Sequence, residues 1–414
     1  MAKGRIIVGL DMGTTKIATV IAEMRNGDME PQIIGVGTSP SNGLRRGVVV
    51  NLDQTVQSIE RALSDAERMA NVPVHAVYVG IAGDHIRGIN SRGVIAVSRG
   101  NRQDHRITKE DVDRVVDQAK AVALPMDREI IHVLPQEYIV DDQTGIKDPI
   151  GMAGIRLEAE VHIVTGAVTS AQNICESVRQ ADVGELQDLV LEPLASSYAV
   201  LSPDEKELGV GLLDVGGGTT DIALFFEGSI RHTAVIGLGG SNVTRDMAFG
   251  LRTSLEEAER IKIERGYAMA SMAQQDEMIS IPGVGGRSPR EVPHPEVCSI
   301  IEARMEEIFT LALREIQRTE YADLLSTGIV LTGGGSMLKG TVELAERVFD
   351  CPVQRGYPKG VGGLVDKVAH PIYATGVGLV LYGAQHTGKP IGMDGEGLFK
   401  RILGRMKGWF HEYA

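Results

Sequence analysis

The stretch Leu213-Asp-Val-Gly-Gly-Gly-Thr-Thr-Asp221 has a counterpart about two hundred residues earlier, Leu10-Asp-Met-Gly-Thr-Thr-Lys16. In each, an apolar run ends in Asp, a turn of Gly and Thr follows, and a second apolar run leads away. Such a turn lets backbone N–H groups and hydroxyls come close to phosphate oxygens. The Asp ending each first strand, Asp11 and Asp214, can hold a hydrated Mg²⁺, an ion that keeps several waters and needs few direct protein ligands. The repeat asks for two similar strand–turn–strand units. Facing each other, they would grip one triphosphate from both sides. Gly13, Thr14, Thr15 and Lys16 would come from the first turn, and Gly216, Gly217, Gly218 and Thr219 from the second.

With 414 residues the chain has room for two or three domains of roughly 150 residues each. Aromatic residues are 4% against 43% hydrophobic, so the cores must be mainly aliphatic. The net charge of −13 argues against nucleic acid or anionic lipid as a partner of the body, and any such attraction needs a local patch. Cys175, Cys298 and Cys351 are far apart and show no CxxC spacing, as expected of thiols in a reducing compartment. The chain enters its first strand at Arg5, so no leader is expected. No apolar run reaches the ~18–20 residues of a membrane span.

Periodicity predicts strands at Ile6–Leu10, Lys16–Glu23 and Gln32–Thr38, a helix from Leu52 to Ala70, and a strand at Ala76–Ile81. The texture then changes for about eighty residues. Here a strand is expected at Val94–Val97, and Thr108 and Asp111 form a capping box. A helical face follows from Val112 to Ala123, then strands at Glu129–Leu134, Glu137–Val140 and Leu157–Val164. The α/β pattern resumes at Ser170–Arg179 and Leu186–Leu191. Pro193 suits the first turn of a helix opened by Glu192. Asn242 to Gly266 reads as helical, residues 267–296 as loops and short strands, and Ile300 to Gln317 as a strong helix. Strand Gly328–Leu331 feeds Thr332-Gly-Gly-Gly-Ser336, and helices follow at Thr341–Phe349 and Ala374–Tyr382.

Gly333, Gly334, Gly335 and Ser336 make a third turn, open enough for a purine or ribose to lie against its backbone near a helix start. A side chain at Gly335 is expected to intrude on the nucleotide. Glu192 either serves the helix dipole or orients a water on a γ-phosphate. Glu259 and Lys262, three apart on one helix face, are either a surface ion pair or a pair flanking adenine.

Together, Asp11-Met-Gly-Thr-Thr-Lys16, Glu192-Pro-Leu-Ala195, Asp214 to Asp221, Leu331-Thr-Gly-Gly-Gly-Ser336 and Ala374-Thr-Gly-Val-Gly378 resemble the five motifs of the actin, sugar-kinase and DnaK-type ATPase superfamily, in that family's order. The resemblance implies an α/β, actin-like two-lobed ATPase of duplicated ribonuclease-H-like domains, with ATP and Mg²⁺ between the lobes. Ser39–Arg46 is too short for the small subdomain that actins carry there, and an extra α+β unit falls at 84–163 instead. That relocation resembles the FtsA family of bacterial cell-division proteins. So do Gly43–Asn51, Val77–Gly83 and Arg231–Val235. The expected division is then a first lobe of 1–83, 164–206 and 374–384, and a second of 207–244 and 325–373 with a small domain at 245–324. A flexible tether at 385–396 and an amphipathic helix at 397–414 complete it. The resemblance further implies head-to-tail self-polymerisation, FtsZ binding through about 245–324, later divisome partners at about 84–163, and at most weak ATPase activity. It places the chain as a peripheral protein on the cytoplasmic face of the membrane at the division septum.

At 100° per residue, Leu398, Phe399, Ile402, Leu403, Met406, Trp409 and Phe410 fall within roughly 140° of arc. Lys400, Arg401, Arg405 and Lys407 fall outside it. A large apolar face beside a basic one describes a helix lying in an anionic bilayer interface, where each basic residue adds about 1 kcal/mol. The alternatives are a tail docked on its own core and, for the whole chain, a sugar- or acetate-type kinase. A kinase needs an acceptor site and has no use for such a tail.

Overall fold

The computed structural model describes residues 4–25, 27–97 and 106–386. Strand β1 (Arg5–Met12) is buried on both faces from Ile7 onward, which is why it reads as a continuous apolar run. It pairs antiparallel with β2 (Lys16–Met24), and β2 with β3 (Gln32–Pro40). A short hairpin, β4 (Leu44–Arg45) and β5 (Val48–Val49), leads into helix α1 (Leu52–Ala70), where the Asn51 side chain accepts from the Gln54 N–H as an N-cap. The buried face of α1 carries Val56, Ile59 and Leu63, each contributing about 1.5–3 kcal/mol on burial. Strand β6 (Ala76–Ile81) then lies parallel beside β1.

A separate unit follows: β7 (Arg87–Ala96), α2 (Lys109–Ala119), β8 (Arg128–Val140), β9 (Gln143–Ile146) and β10 (Arg156–Ala167). Its sheet has the order β7-β10-β8-β9, and α2 packs on it over a core of its own. Both hydrogen bonds of the Thr108–Asp111 capping box are present. Strand β8 runs unbroken through Pro135, where two strands were expected. A register irregularity at Glu160/Val161, opposite Pro135, admits the missing N–H. Strand β7 begins well before Val94, and its polar first half, largely exposed, hid it. Helix α2 ends at Ala119, so Val122 packs against the same core from beyond the helix.

Helix α3 (Val168–Gln180) and β11 (Glu185–Leu191) return the chain to the first sheet, in the order β11-β6-β1-β2-β3. Then come α4 (Glu192–Val200) and α5 (Pro203–Leu208), the latter too short to show a period. The second sheet holds β12 (Val210–Val215), β13 (Thr220–Phe226) and β14 (Ser229–Ile236). Then come α6 (Gly240–Leu251), α7 (Leu255–Arg265), β15 (Met278–Ile281), β16 (Arg290–Pro293) and α8 (His294–Gln317), whose buried residues share one core with this sheet. The single helical stretch expected from Asn242 to Gly266 is broken by Arg252, at φ 52°, with Ser254 capping the new helix. Strand β17 (Ile329–Thr332), α9 (Thr341–Phe349) and β18 (Val353–Arg355) complete the order β14-β13-β12-β17-β18.

Strand β19 (Gly362–Gly363) crosses back to pair with β3, and α10 (Val365–Val368) buries Val368 in the first core. These residues therefore join the first lobe, although the sequence reading gave 325–373 to the second. Helix α11 (Ala374–Gln385) lies against β1 and crosses α4 with backbones touching. A Cβ on Gly378 would stand 1.9 Å from the Ala195 carbonyl oxygen. Gln385 closes this helix and His386 is buried, its ring stacked 4.0 Å from that of Tyr382, so the expected tether does not begin at 385. The rest of the tether, and Leu398, Phe399, Lys400, Arg401, Ile402, Leu403, Arg405, Met406, Lys407, Trp409 and Phe410, lie outside the described residues. Among the described residues no helix is long and apolar enough to cross a membrane.

The inserted unit touches the second lobe as well as the first. Asn90 Nδ2 donates to the Arg231 carbonyl at 3.1 Å, Gln136 Nε2 to that of Ile230 at 2.9 Å, and His162 Nε2 lies 2.8 Å from Thr233 Oγ1.

Candidate functional site

The two Asp–Gly–Thr turns meet at the mouth between the sheets. Each joins a central strand to its antiparallel neighbour, with Asp11 opposite Ala18 and Asp214 opposite Asp221. Glycine is needed for closeness here. A Cβ on Gly217 would come 2.4 Å from Thr15 Cγ2, and one on Gly218 2.5 Å from Thr14 Oγ1. Between the turns lies a cavity of about 160 Å³. It is lined by Asp11, Gly13, Thr14, Thr15, Lys16, Glu192, Asp214, Gly216, Gly217, Gly218, Thr219, Asp221, Gly334 and Thr375, among others.

Its charges are unequal. Lys16 Nζ reaches Asp11 Oδ2 at 3.1 Å and the Ile372 carbonyl at 2.8 Å, and sits 5.1 Å from the centre of the Tyr373 ring. On the other side, Asp214 Oδ2 accepts from Ser196 Oγ at 2.8 Å and from Thr375 Oγ1 at 3.4 Å. Asp221 Oδ2 accepts from Thr219 Oγ1 at 3.1 Å, while its Oδ1 is buried without a partner. Burial, and then the Asp214 charge, push Asp221 up to about 8. Burial pushes Asp214 up to about 6 against the pull of the Ser196 hydrogen bond. Glu192 is raised well above its ordinary value, first by burial and then by Asp11, Asp221 and Asp214.

Four carboxylates thus face one ammonium, and one carboxylate oxygen is orphaned in the wall. The arrangement fits a divalent cation, which would restore the ionised forms. Among the described residues no three His, Cys, Asp or Glu side chains converge to ligate an ion directly. The donor set therefore fits an ion that keeps most of its waters.

The third turn supports the second. Only Gly334 of its four residues lines the cavity. Gly333, at φ 79°, lies so close to Asp214 that a Cβ would stand 2.3 Å from Oδ1. A Cβ on Gly335 would strike Val215 at 2.4 Å, so a side chain there would displace the strand bearing Asp214 before reaching any nucleotide. Ser336 is buried and donates its hydroxyl to the Gly333 carbonyl at 2.7 Å. Glu259 and Lys262 do form an ion pair, at 2.7 Å, outside the cavity. Lys262 also bonds Thr244 Oγ1 at 2.8 Å and the Gly240 carbonyl at 3.2 Å. The Gly240 N–H in turn donates to Gly216 at 2.9 Å, so the pair stands behind the second turn.

Sequence reasoning noticed Asp221 as the end of a turn and gave it no role. It missed Ser196, Thr375 and Gly47, whose N–H donates to Thr14 Oγ1 at 3.2 Å. Asp221 was within reach, since strand alternation puts it on the same face as Thr219. Nothing local distinguishes the two helix hydroxyls.

Comparison with known proteins gives a consistent result. Residues 211–378 match the family model described as Cell division protein FtsA, and residues 83–165 match that of the SHS2 domain inserted in FTSA. A cell division protein FtsA of Pseudomonas aeruginosa is 48% identical over 413 residues, covering 98% of this chain and 97% of that one. One of Bacillus subtilis is 40% identical over 95% of this chain and 87% of its own length. Among solved structures, a PilM–PilN type IV pilus biogenesis complex aligns with a TM-score of 0.64 at 16% identity, covering 91% of this chain and 98% of that one. MreB5 of Spiroplasma citri bound to ADP aligns with a TM-score of 0.56 at 14% identity, covering 92% and 96%. These two likenesses concern the fold, which is actin-like.

Proposed function

The chain belongs to the FtsA family of cell division proteins, and from that premise we propose that it closes its lobes over ATP, polymerises head to tail, and ties FtsZ filaments to the cytoplasmic membrane at the division septum. The observation that carries the nucleotide part is the pair of matched turns facing across a buried, acid-rich cavity. Gly13, Thr14, Thr15 and Lys16 would hold phosphate oxygens from one side, and Gly216, Gly217, Gly218 and Thr219 from the other. Asp11 and Asp214 would hold Mg²⁺ through water, and the ion would neutralise the phosphates. The cavity, at about 160 Å³, suits phosphates better than a whole nucleotide. The adenosine would then lie outward, between Gly333–Ser336 and the Glu259–Lys262 side.

Glu192 is the candidate for orienting a water. Burial, and then the neighbouring Asp11, Asp221 and Asp214, raise its carboxyl well above the ordinary range, and a bound cation would draw it back toward the ionised form that can orient a water, with at most weak ATPase activity. The kinase alternative has no comparable support, because the relatives are cell division proteins. FtsZ would dock on residues 245–324 and later divisome proteins on 84–163. Residues 397–414 would bind anionic lipid weakly one at a time and strongly once polymerised. Calorimetry of ATP with and without Mg²⁺, followed by co-sedimentation with anionic vesicles, tests this reading. Tight Mg²⁺-dependent ATP binding with vesicle-bound filaments is expected. No ATP binding, or ATP consumption that needs a polyol or acid acceptor, would sink it.

A further inference from the structure

Asp214 belongs to the second lobe, yet the hydroxyls that bond it come from the two helices crossing between the lobes. Ser196 is on α4 and Thr375 in the first turn of α11. Both are buried, and their hydroxyl oxygens lie 3.1 Å apart. A hydroxyl has one proton to give. Ser197, the next residue on α4, directs its own to the Leu194 carbonyl at 2.7 Å, the ordinary destination of a helical serine. Ser196 instead reaches to the other sheet, 2.8 Å to Asp214 Oδ2, and Thr375 stands 3.4 Å from the same oxygen. The opposite oxygen, Oδ1, rests over Gly333, where even a Cβ would not fit. The carboxylate is therefore fixed at both edges, by hydroxyls on one and backbone on the other.

We propose that Ser196 and Thr375 are positioning residues that aim Asp214 at the hydrated divalent ion, holding a second-lobe carboxylate from helices packed on the first lobe. Helix α11 packs on β1 and β2 of the first lobe, so the Thr375 hydroxyl meets Asp214 from that side of the cleft. Outer partners of this kind fix the orientation of a metal-binding carboxylate, and their loss costs about 10–100-fold in metal affinity. The inference rests on the nucleotide reading of the cleft.

The test is a Mg²⁺ titration of the full chain with a fluorescent ATP analogue, repeated in EDTA. Ser196→Ala and Thr375→Val should each raise the Mg²⁺ concentration at half-saturation about tenfold or more, with nucleotide affinity in EDTA unchanged. Thr375→Ser, which keeps the hydroxyl, should restore the wild-type requirement. Ser197→Ala should leave it unmoved. Wild-type binding together with an unmoved Mg²⁺ requirement in both hydroxyl variants overturns the inference alone. So does an equal loss in EDTA and in Mg²⁺, which is what general loosening would give. Absence of any nucleotide binding by the wild type overturns the reading of the cleft, and this inference with it. If one variant melts without a cooperative transition, the other decides, since each hydroxyl is removed separately.

Discussion

The two turns have the same scaffold and opposite electrostatics. In the first lobe Asp11 is matched by Lys16, 3.1 Å away, at the end of the same turn. In the second the place opposite the strand-end Asp, held by Ala18 in the first lobe, is taken by Asp221. Asp214 is hydrogen-bonded by the hydroxyls of Ser196 and Thr375. A duplicated unit has thus been given two trades. One half brings a fixed cation suited to phosphate oxygens, and the other brings carboxylates that need a cation from outside. Burial sharpens the contrast, because desolvation raises both second-lobe acids.

That division of labour can be broken by substitution. The largest effect is expected from Asp214→Asn, which should weaken ATP binding about 100-fold in Mg²⁺ and hardly at all in EDTA, removing a charged partner worth roughly 2–3 kcal/mol. Lys16→Met should weaken binding by about 10–100-fold in both conditions, because its contact with phosphate does not pass through the metal. Calorimetry distinguishes the two profiles, and identical profiles would erase the contrast between the lobes.

A smaller effect concerns stability without ligand. Asp221 and Asp214 have folded values raised to about 8 and about 6, above the ordinary carboxylate value of the unfolded chain. The folded state then holds more protons than the unfolded one between about pH 4 and pH 8, so stability should fall as pH rises through that window. Thermal melts without Mg²⁺ should drop by several degrees from pH 5 to pH 8, and Asp221→Asn should flatten the decline. A metal-free protein that melts higher at pH 8 contradicts this. The smallest effect is expected at Glu259→Gln, whose carboxylate is partly exposed and stands outside the cavity. Less than about a threefold change in ATP affinity should be seen by the same titration.

The turns were legible because their chemistry is local. Strand ends, glycines and hydroxyls occur consecutively, and the repetition marks them. The helices with long apolar periods, α1 and α8, were legible for the same reason, although α8 begins at His294, before its apolar rhythm shows. What was not legible depends on who stands opposite. Pro135 argues against a strand until its partner β10 supplies the register irregularity at Glu160/Val161. Arg252 gives no hint that it adopts a left-handed conformation and divides α6 from α7. Ser196 and Ser197 are chemically identical neighbours, and only the fold decides that one faces Asp214 and the other its own helix. The third turn resembled its motif, yet Gly335 and Ser336 serve the interior of the protein, which spacing alone does not show.

The seam between the inserted unit and the second lobe has a mechanical consequence. The unit is spliced into the first lobe by chain continuity, and Asn90, Gln136 and His162 fasten it to β14. His132 on β8 accepts the Leu191 N–H, next to Glu192. Hinge motion of the cleft must either shear these bonds or swing the unit along. Were the jaws to open and shut, the tilt of this unit would register it at the surface, away from the phosphates.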